Sequence, residues 1–406
     1  MKLFQKLLLG PATLGMLSPI AVSASEANFI DTNVYSQSDI EVSIESFKPL
    51  SSKNPLLAGG EGASQNSGDS THFDEGIFST TTEASFTANF AAGSIDDGTG
   101  STTASKTHAG FDYVVELSTG FTGNDSLDVE LESGNLSNLS AIDFVSTSSQ
   151  AVQVASISYT KELGDRLTVF FGDGAAGSTL YNTACVYNGQ TDALDDCGNL
   201  NSAIDEEFGT AAGLSIDLGG GFLAAIGVES KNNSTGIFTN DAADAYGAQV
   251  SYTGDNYGLS VTFANIENHD ALGVVLPSVE PTGATWGNTQ STAVNAYFAP
   301  ELSNFPSISV GFESNHNDSI NLLNTENDSS HYFVGFQWDE LGNGSFGGAF
   351  GTKTPTTENA EAQLQYEAYY AYDYADGITI TPLFYSRETT GASNDTGVVL
   401  KTTFEF

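Results

Sequence analysis

Residues 127–132 read LDVELE, which sets Asp128, Glu130 and Glu132 at alternate positions. In an extended strand that spacing puts three carboxylates on one face and Leu127, Val129 and Leu131 on the other. Neighbouring FDYVVEL repeats the device with Asp112 and Glu116 opposite Phe111, Tyr113, Val115 and Leu117. Acids lined up this way set a negative field over whatever water and ions lie before them. The same parity carried along the chain collects Glu83, Asp112, Glu116, Asp128, Glu130, Glu132, Asp217, Glu229, Glu313, Glu367, Asp373 and Glu405 on the wet face. Only Arg166, Arg387 and Lys401 join them as bases. A one-residue slip in any strand would reverse its contributions.

Other chemistry is sparse. His72, His108, His269, His316 and His331 are scattered, and none stands near a Ser in a G-x-S-x-G elbow. The Asp- and Asn-rich loops lack D-x-[DN]-x-[DN]-G and the nine-residue Gly/Asp repeat of calcium-binding β-helices. Two Cys without His neighbours make a poor zinc site. An enzyme, a resident metal and a cofactor are therefore not expected. With 51 acidic and 11 basic residues, a formal charge of −40, nucleic acid is not an expected partner either. Cys185 and Cys197 stand in a Gly-, Asn- and Asp-rich segment, and an oxidising compartment would let them close a small disulfide loop.

What positions the acids is a long series of strands. Charged residues make up only 15% of the chain, while 43 Gly, 26 Phe and 16 Tyr against 10 Pro favour strands and tight turns. Alternating runs flank seven short turns, at 122–125, 161–165, 218–221, 253–256, 300–305, 339–344 and 374–376. Eight longer polar connections separate the hairpins, near 91–110, 134–151, 173–208, 231–243, 266–290, 315–330, 353–361 and 388–396. Seven hairpins, an opening run at 77–90 and a closing run at 397–406 make sixteen strands. The expected class is all-β, a 16-stranded antiparallel transmembrane β-barrel with short periplasmic turns and long external loops. A soluble β-sandwich would also alternate. It accounts less well for an oily face this continuous, or for aromatics beside the short turns at Phe121, Tyr159, Phe222, Tyr252, Tyr257, Trp338 and Tyr374, which suit a membrane interface.

Residues 1–24 have Lys2 and Lys6 before a broken apolar stretch and a small-residue cleavage site, the pattern of a secretory signal peptide. Residues 25–74 are polar and aperiodic, a periplasmic lead-in or plug segment. The barrel is expected over 75–406. Its last run, GVVLKTTFEF, alternates to Phe406, which would complete an aromatic girdle while the strand seals against the first.

MKLFQKLLLGPATLGMLSPIA, FKPLSSKNPLLAGGEG, LYNTACVYNGQTDALDDCGNLNSA and YADGITITPLFY, with the Phe-ended last strand, resemble the porins of marine cyanobacteria. Those are relatives of the carbohydrate-selective (OprB-type) and iron-uptake porins. The resemblance implies a homotrimer in outer-membrane lipid that passes small hydrophilic solutes: ions, sugars or metal ions. It also implies that Phe404 and Phe406 form the signal read by the barrel-assembly machinery. The S-layer-homology domain of many relatives has no counterpart in 25–74. In general porins the loop corresponding to 173–208 folds into the barrel, which would bring Asp192, Asp195, Asp196, Asp205, Glu206 and Glu207 to a constriction near Arg387 and Lys401. An outward-facing loop clipped by the disulfide is the alternative. A passive solute channel is the expected function, and a non-conducting, adhesin-like surface barrel is the other class.

Overall fold

The computed structural model describes residues 81–406 apart from 97–105, 140, 146, 148–149, 196, 198–203, 205–208, 231–236, 238–243, 268–287, 301–304, 318–327, 353–355, 358–360 and 390–393. The expected signal peptide and lead-in segment lie outside the described residues.

Every long element is a strand: β1 (Thr82–Asp96), β2 (Thr107–Thr119), β3 (Asp125–Gly134), β4 (Gln153–Leu163), β5 (Leu167–Asp173), β6 (Thr210–Gly219), β7 (Phe222–Ser230), β8 (Asp244–Thr253) and β9 (Tyr257–Ile266). The series continues with β10 (Thr289–Phe298), β11 (Ser307–Asn317), β12 (Asp328–Trp338), β13 (Gly344–Thr352), β14 (Thr356–Thr357), β15 (Leu364–Ala375), β16 (Ile378–Arg387) and β17 (Asp395–Glu405). Two-residue β14 pairs with β12 just beyond β13 and completes the same stave, so the wall has sixteen. Each stave pairs antiparallel with its neighbours in the chain, and β17 pairs with β1 from Thr87↔Glu405 to Asp96↔Thr396. Closure leaves no row of backbone donors and acceptors unpaired, which a strand structure in hydrocarbon requires.

The connections alternate in length as the sequence predicts. Short ones join β2–β3, β4–β5, β6–β7, β8–β9, β10–β11, β12–β13 and β15–β16, and the strand ends that the long ones join face the opposite end. The β6–β7 turn is tight because Gly219, Gly220 and Gly221 all adopt positive φ, a region that side-chain-bearing residues enter at a cost. The opening strand is a correction. Expected at 77–90, of which 77–80 lie outside the described residues, β1 runs to Asp96, because 90–96 pairs with 396–402 even though its outward positions after Phe90 are only Ala92, Ser94 and Asp96. Backbone pairing overrides a weak apolar signal there.

One face of the staves is oily and exposed: Phe90, Ile226, Val250, Phe263, Val310, Phe384 and Val398 all stand on the outside. Aromatic contacts cluster toward the short-turn end. Tyr252 packs against Phe222 at 4.8 Å and Tyr257 at 5.3 Å between ring centroids, and Trp338 lies 5.7 Å from Phe346.

Candidate functional site: the barrel lumen

The inner face is set by the registers. Asn89 sits opposite Asp112, Glu116 opposite Glu130, and Ser118 opposite both Glu83 and Asp128, so these polar groups share the inward side. Asp217, Glu229, Glu313, Glu367, Asp373, Lys401 and Glu405 fall on the same side of their strands.

Two long connections occupy this inner space. The β5–β6 segment leaves and rejoins the wall at one point, where Gly174 N–H donates to Gly209 O at 2.9 Å. Between those ends its described residues follow the inner wall from stave to stave. Gly177 N–H donates to Glu229 Oε2 on β7 at 2.7 Å, and Asn182 N–H to Gln249 Oε1 on β8 at 2.6 Å. Ser260 Oγ of β9 donates to Thr183 O at 3.1 Å. Val186 N–H then donates to Ser309 Oγ of β11 at 3.1 Å, and Asn188 N–H to Gln337 Oε1 of β12 at 2.7 Å.

The segment ends its circuit on Glu367 of β15. That carboxylate accepts from Tyr187 OH at 2.6 Å, Gln190 N–H at 3.1 Å, Thr191 N–H at 2.9 Å and Thr191 Oγ1 at 2.5 Å. A buried carboxylate is tolerated only when its lone pairs are engaged, and four donors meet that need. Burial first, and then the neighbouring Glu367, push the Tyr187 phenol well above its ordinary pKa, so it remains a donor.

The β3–β4 connection also turns inward. Phe111 N–H donates to Asn135 Oδ1 and Val145 N–H to Asp112 Oδ2, each at 2.9 Å. The two connections join through the Ile142–Thr191 bridge and the Asp192 N–H to Ala141 O bond of 3.2 Å. Between them and the wall lies a dry cluster. Leu136, Leu139, Ile142, Tyr187 and Leu194 pack on inward Ala91, Ala293, Phe333, Tyr369, Leu383, Tyr385 and Val399. Fully burying a Leu or Phe contributes about 1.5–3 kcal/mol. Seven wall residues on β1, β10, β12, β15, β16 and β17 therefore form an apolar floor where alternation alone promised a wet surface.

The predicted residues sort into three environments. Glu83, Glu116, Asp217, Asp373 and Glu405 are inward and at least partly exposed. Asp112, Asp128, Glu130 and Glu132 are inward but buried, with Asp128 accepting from Ser118 Oγ at 2.6 Å and Glu132 from Gln153 Nε2 at 2.7 Å. Glu229, Glu313 and Glu367 are 1%, 0% and 4% exposed, so they differ from open-water pore liners. For Glu229 and Glu367 the reason is the inward segment that they bind.

The bases differ too. Arg166 is in the β4–β5 turn, not on an inward strand position. Arg387 is neutralised by Asp395, which accepts from its Nε at 2.9 Å and also contacts Nη2. Lys401 is inward and half-buried.

Of the expected constriction acids, Asp192 is exposed and Asp195 buried, whereas Asp196, Asp205, Glu206 and Glu207 lie outside the described residues. Cys185 and Cys197 form a disulfide, with buried Cys197 in the dry cluster. Phe404 meets Phe90 edge to face at 5.9 Å, and Phe406 stacks on Phe86. His108 lies on β2, His331 is buried on β12, and His316 contacts Asp328 across β11–β12. His72 and His269 lie outside the described residues.

Gln249, Ser260, Ser309, Gln337 and Tyr369 were missed as site residues. For the first four the signal was present as polar or small side chains at alternate, inward positions of β8, β9, β11 and β12, which leave room for a second layer; Tyr369 of β15 gave none beyond its inward parity.

No family model matches the chain, and no curated protein matches it. Among solved structures it is similar to OprB of Pseudomonas putida, with a TM-score of 0.54 and 11% identity over 80% of this chain and 94% of that one. A loop-L8 deletion mutant of OmpT, an outer membrane protein of Vibrio cholerae, gives a TM-score of 0.55 and 11% identity over 80% and 99% of the two chains. A porin structure refined at 1.8 Å gives a TM-score of 0.51 and 11% identity, with 80% and 100% coverage. At such identity the likeness speaks for architecture: this chain has the closed sixteen-stave barrel fold seen in porins.

Proposed function

We propose that the chain is an outer-membrane porin that lets small hydrophilic solutes, ions among them, diffuse through an acid-bearing lumen narrowed by its inward connections. The observation that carries this reading is the β5–β6 segment bound along the inner wall from Glu229 to Glu367. A barrel serving only as a surface scaffold has no need of a polar inner wall matched donor by acceptor to a loop. The exposed apolar belt supports a lipid environment, since a charge at mid-bilayer on the lipid face of a barrel costs about 2–4 kcal/mol for Arg or Lys. Partly exposed Glu83, Glu116, Asp217, Asp373 and Glu405 bring negative charge to the path, and Asp192 brings it to the inner segment. A homotrimer and recognition of Phe404 and Phe406 by the barrel-assembly machinery belong to the same reading.

One observation favours a second reading, the non-conducting surface barrel: the dry cluster that fills part of the interior. Planar-bilayer recording of the purified protein separates the two. Discrete conductance steps support the channel. Their absence, in protein whose gel mobility shows a folded, heat-modifiable barrel, favours the surface barrel.

A further inference from the structure

Three strands repeat one inward device. Gly227-Val228-Glu229 on β7, Gly247-Ala248-Gln249 on β8 and Gly335-Phe336-Gln337 on β12 each place a glycine and, two residues on, an acceptor side chain on the same inner face. At each glycine an added Cβ would collide with the β5–β6 segment, with its backbone at Gly227 and with a tyrosine side chain at Gly247 and Gly335, where the Phe333 ring of the wall is as near. A Cβ at Gly227 would stand 1.8 Å from Gly177 O, one at Gly247 2.9 Å from Tyr181 OH, and one at Gly335 2.7 Å from Tyr187 Cγ. Beside each seat the acceptor takes the N–H of Gly177, Asn182 or Asn188.

The two halves of the device answer two physical demands. Absent side chains let a backbone approach a wall closely. A segment buried there must then find acceptors for its N–H groups, each of which would otherwise go unmet at a cost of about 1–3 kcal/mol. The amides are themselves oriented. Gln249 Nε2 donates to Thr262 Oγ1 at 2.9 Å and Gln337 Nε2 to Asp339 Oδ1 at 2.6 Å, which turns both carbonyl oxygens toward the segment.

We propose that these three glycine–acceptor pairs are positioning residues that hold the β5–β6 segment flat on the wall and thereby set the largest solute that the lumen passes. The inference rests on the channel reading for its consequence, but not for the seat itself. Filling a seat or removing its acceptor lifts the segment toward the barrel axis.

The test uses Gly227→Ala, whose added carbon meets the Gly177 backbone first, and the double variant Gln249→Leu/Gln337→Leu, with Gln249→Glu as the acceptor-preserving control, since the Thr262 hydroxyl beside it can donate to a carboxylate. Proteoliposome swelling with neutral sugars of graded size reads the exclusion limit without interference from charge. The limit is expected to fall in the first two variants and to stay at the wild-type value in Gln249→Glu. A wild-type or raised limit in folded Gly227→Ala or in the double variant overturns the proposal; should Gly227→Ala fail to assemble, the double variant decides. Amide hydrogen exchange at Gly177, Asn182 and Asn188 tests the seat even if the wild-type barrel does not conduct. Slow exchange in wild type that is lost at Asn182 and Asn188 in the double variant supports the seat, and fast exchange in wild type overturns it. An impermeable wild-type barrel with slow exchange would sink the channel reading alone.

Discussion

Phe406 lies flat on Phe86, with ring centroids 5.3 Å apart and planes 6° from parallel, and the two residues exchange both backbone hydrogen bonds, at 2.8 and 3.1 Å. Together with the Phe90–Phe404 edge contact, this is the seam where β17 closes on β1. Such a ring pair adds about 0.5–1.5 kcal/mol beyond its buried area. Phe406→Ala is expected to slow closure and lower the fraction of heat-modifiable barrel in outer membranes. A normal fraction in that variant would remove the seam's claim to importance.

The wall was legible because its period is two. Alternation located the oily face at Phe263 and Val398, and Gly, Asn and Asp located the turns. What alternation cannot tell is what covers a face. Glu367 and Glu229 have the parity of pore liners, yet their partners are Thr191 and Gly177, far away in sequence and visible only once the barrel brings them together. Parity gives Arg387 as an inward base but not its partner, because Asp395 stands in the polar connection at 388–396; pairing of β16 with β17 sets them opposite each other. The recurring Gly-x-Glu/Gln of β7, β8 and β12 was readable, but a glycine in a strand has several uses until its neighbour is known.

Glu367 gathers four donors, so its loss should matter more than that of any single donor. Hydrogen bonds to a charged group contribute roughly 1.5–3 kcal/mol each, and neutral ones about 1. Glu367→Gln leaves one acceptor oxygen and sets an amide NH₂ among donors, whereas Tyr187→Phe removes one bond from four. The urea midpoint for loss of the folded barrel is expected to fall clearly in Glu367→Gln and less in Tyr187→Phe. Equal midpoints for wild type and Glu367→Gln would show that the carboxylate does not hold the segment.

Cys185 and Cys197 should resist alkylation in denatured, unreduced protein and take up two alkyl groups after reduction, as intact mass will show. Closing so short a ring stabilises by about 3 kcal/mol in the chain-entropy model. Since Cys197 is packed in the dry cluster, the paired Ser variant also buries a hydroxyl there. It is expected to loosen the segment and increase exchange at Asn188, without changing how the staves pair.

The channel is expected to prefer cations, with a preference that fades as salt rises. Glu83, Glu116 and Glu405 are inward and partly exposed, whereas Glu229, Glu313 and Glu367 are buried beneath or beside other groups. Charge reached by water acts on passing ions and is screened by them, over a Debye length of about 10 Å at 0.1 M and about 3 Å at 1 M. Reversal potentials in a dilute KCl gradient should therefore shift toward neutrality in Glu83→Gln/Glu116→Gln/Glu405→Gln. The Glu229→Leu and Glu367→Gln variants should instead alter the exclusion limit for neutral sugars more than the reversal potential. On the proposed channel reading, selection by charge and selection by size fall to different acids of one inner face. Anion preference in dilute salt, or a larger reversal shift from the buried pair than from the exposed triple, would show that this division is wrong even if the barrel conducts.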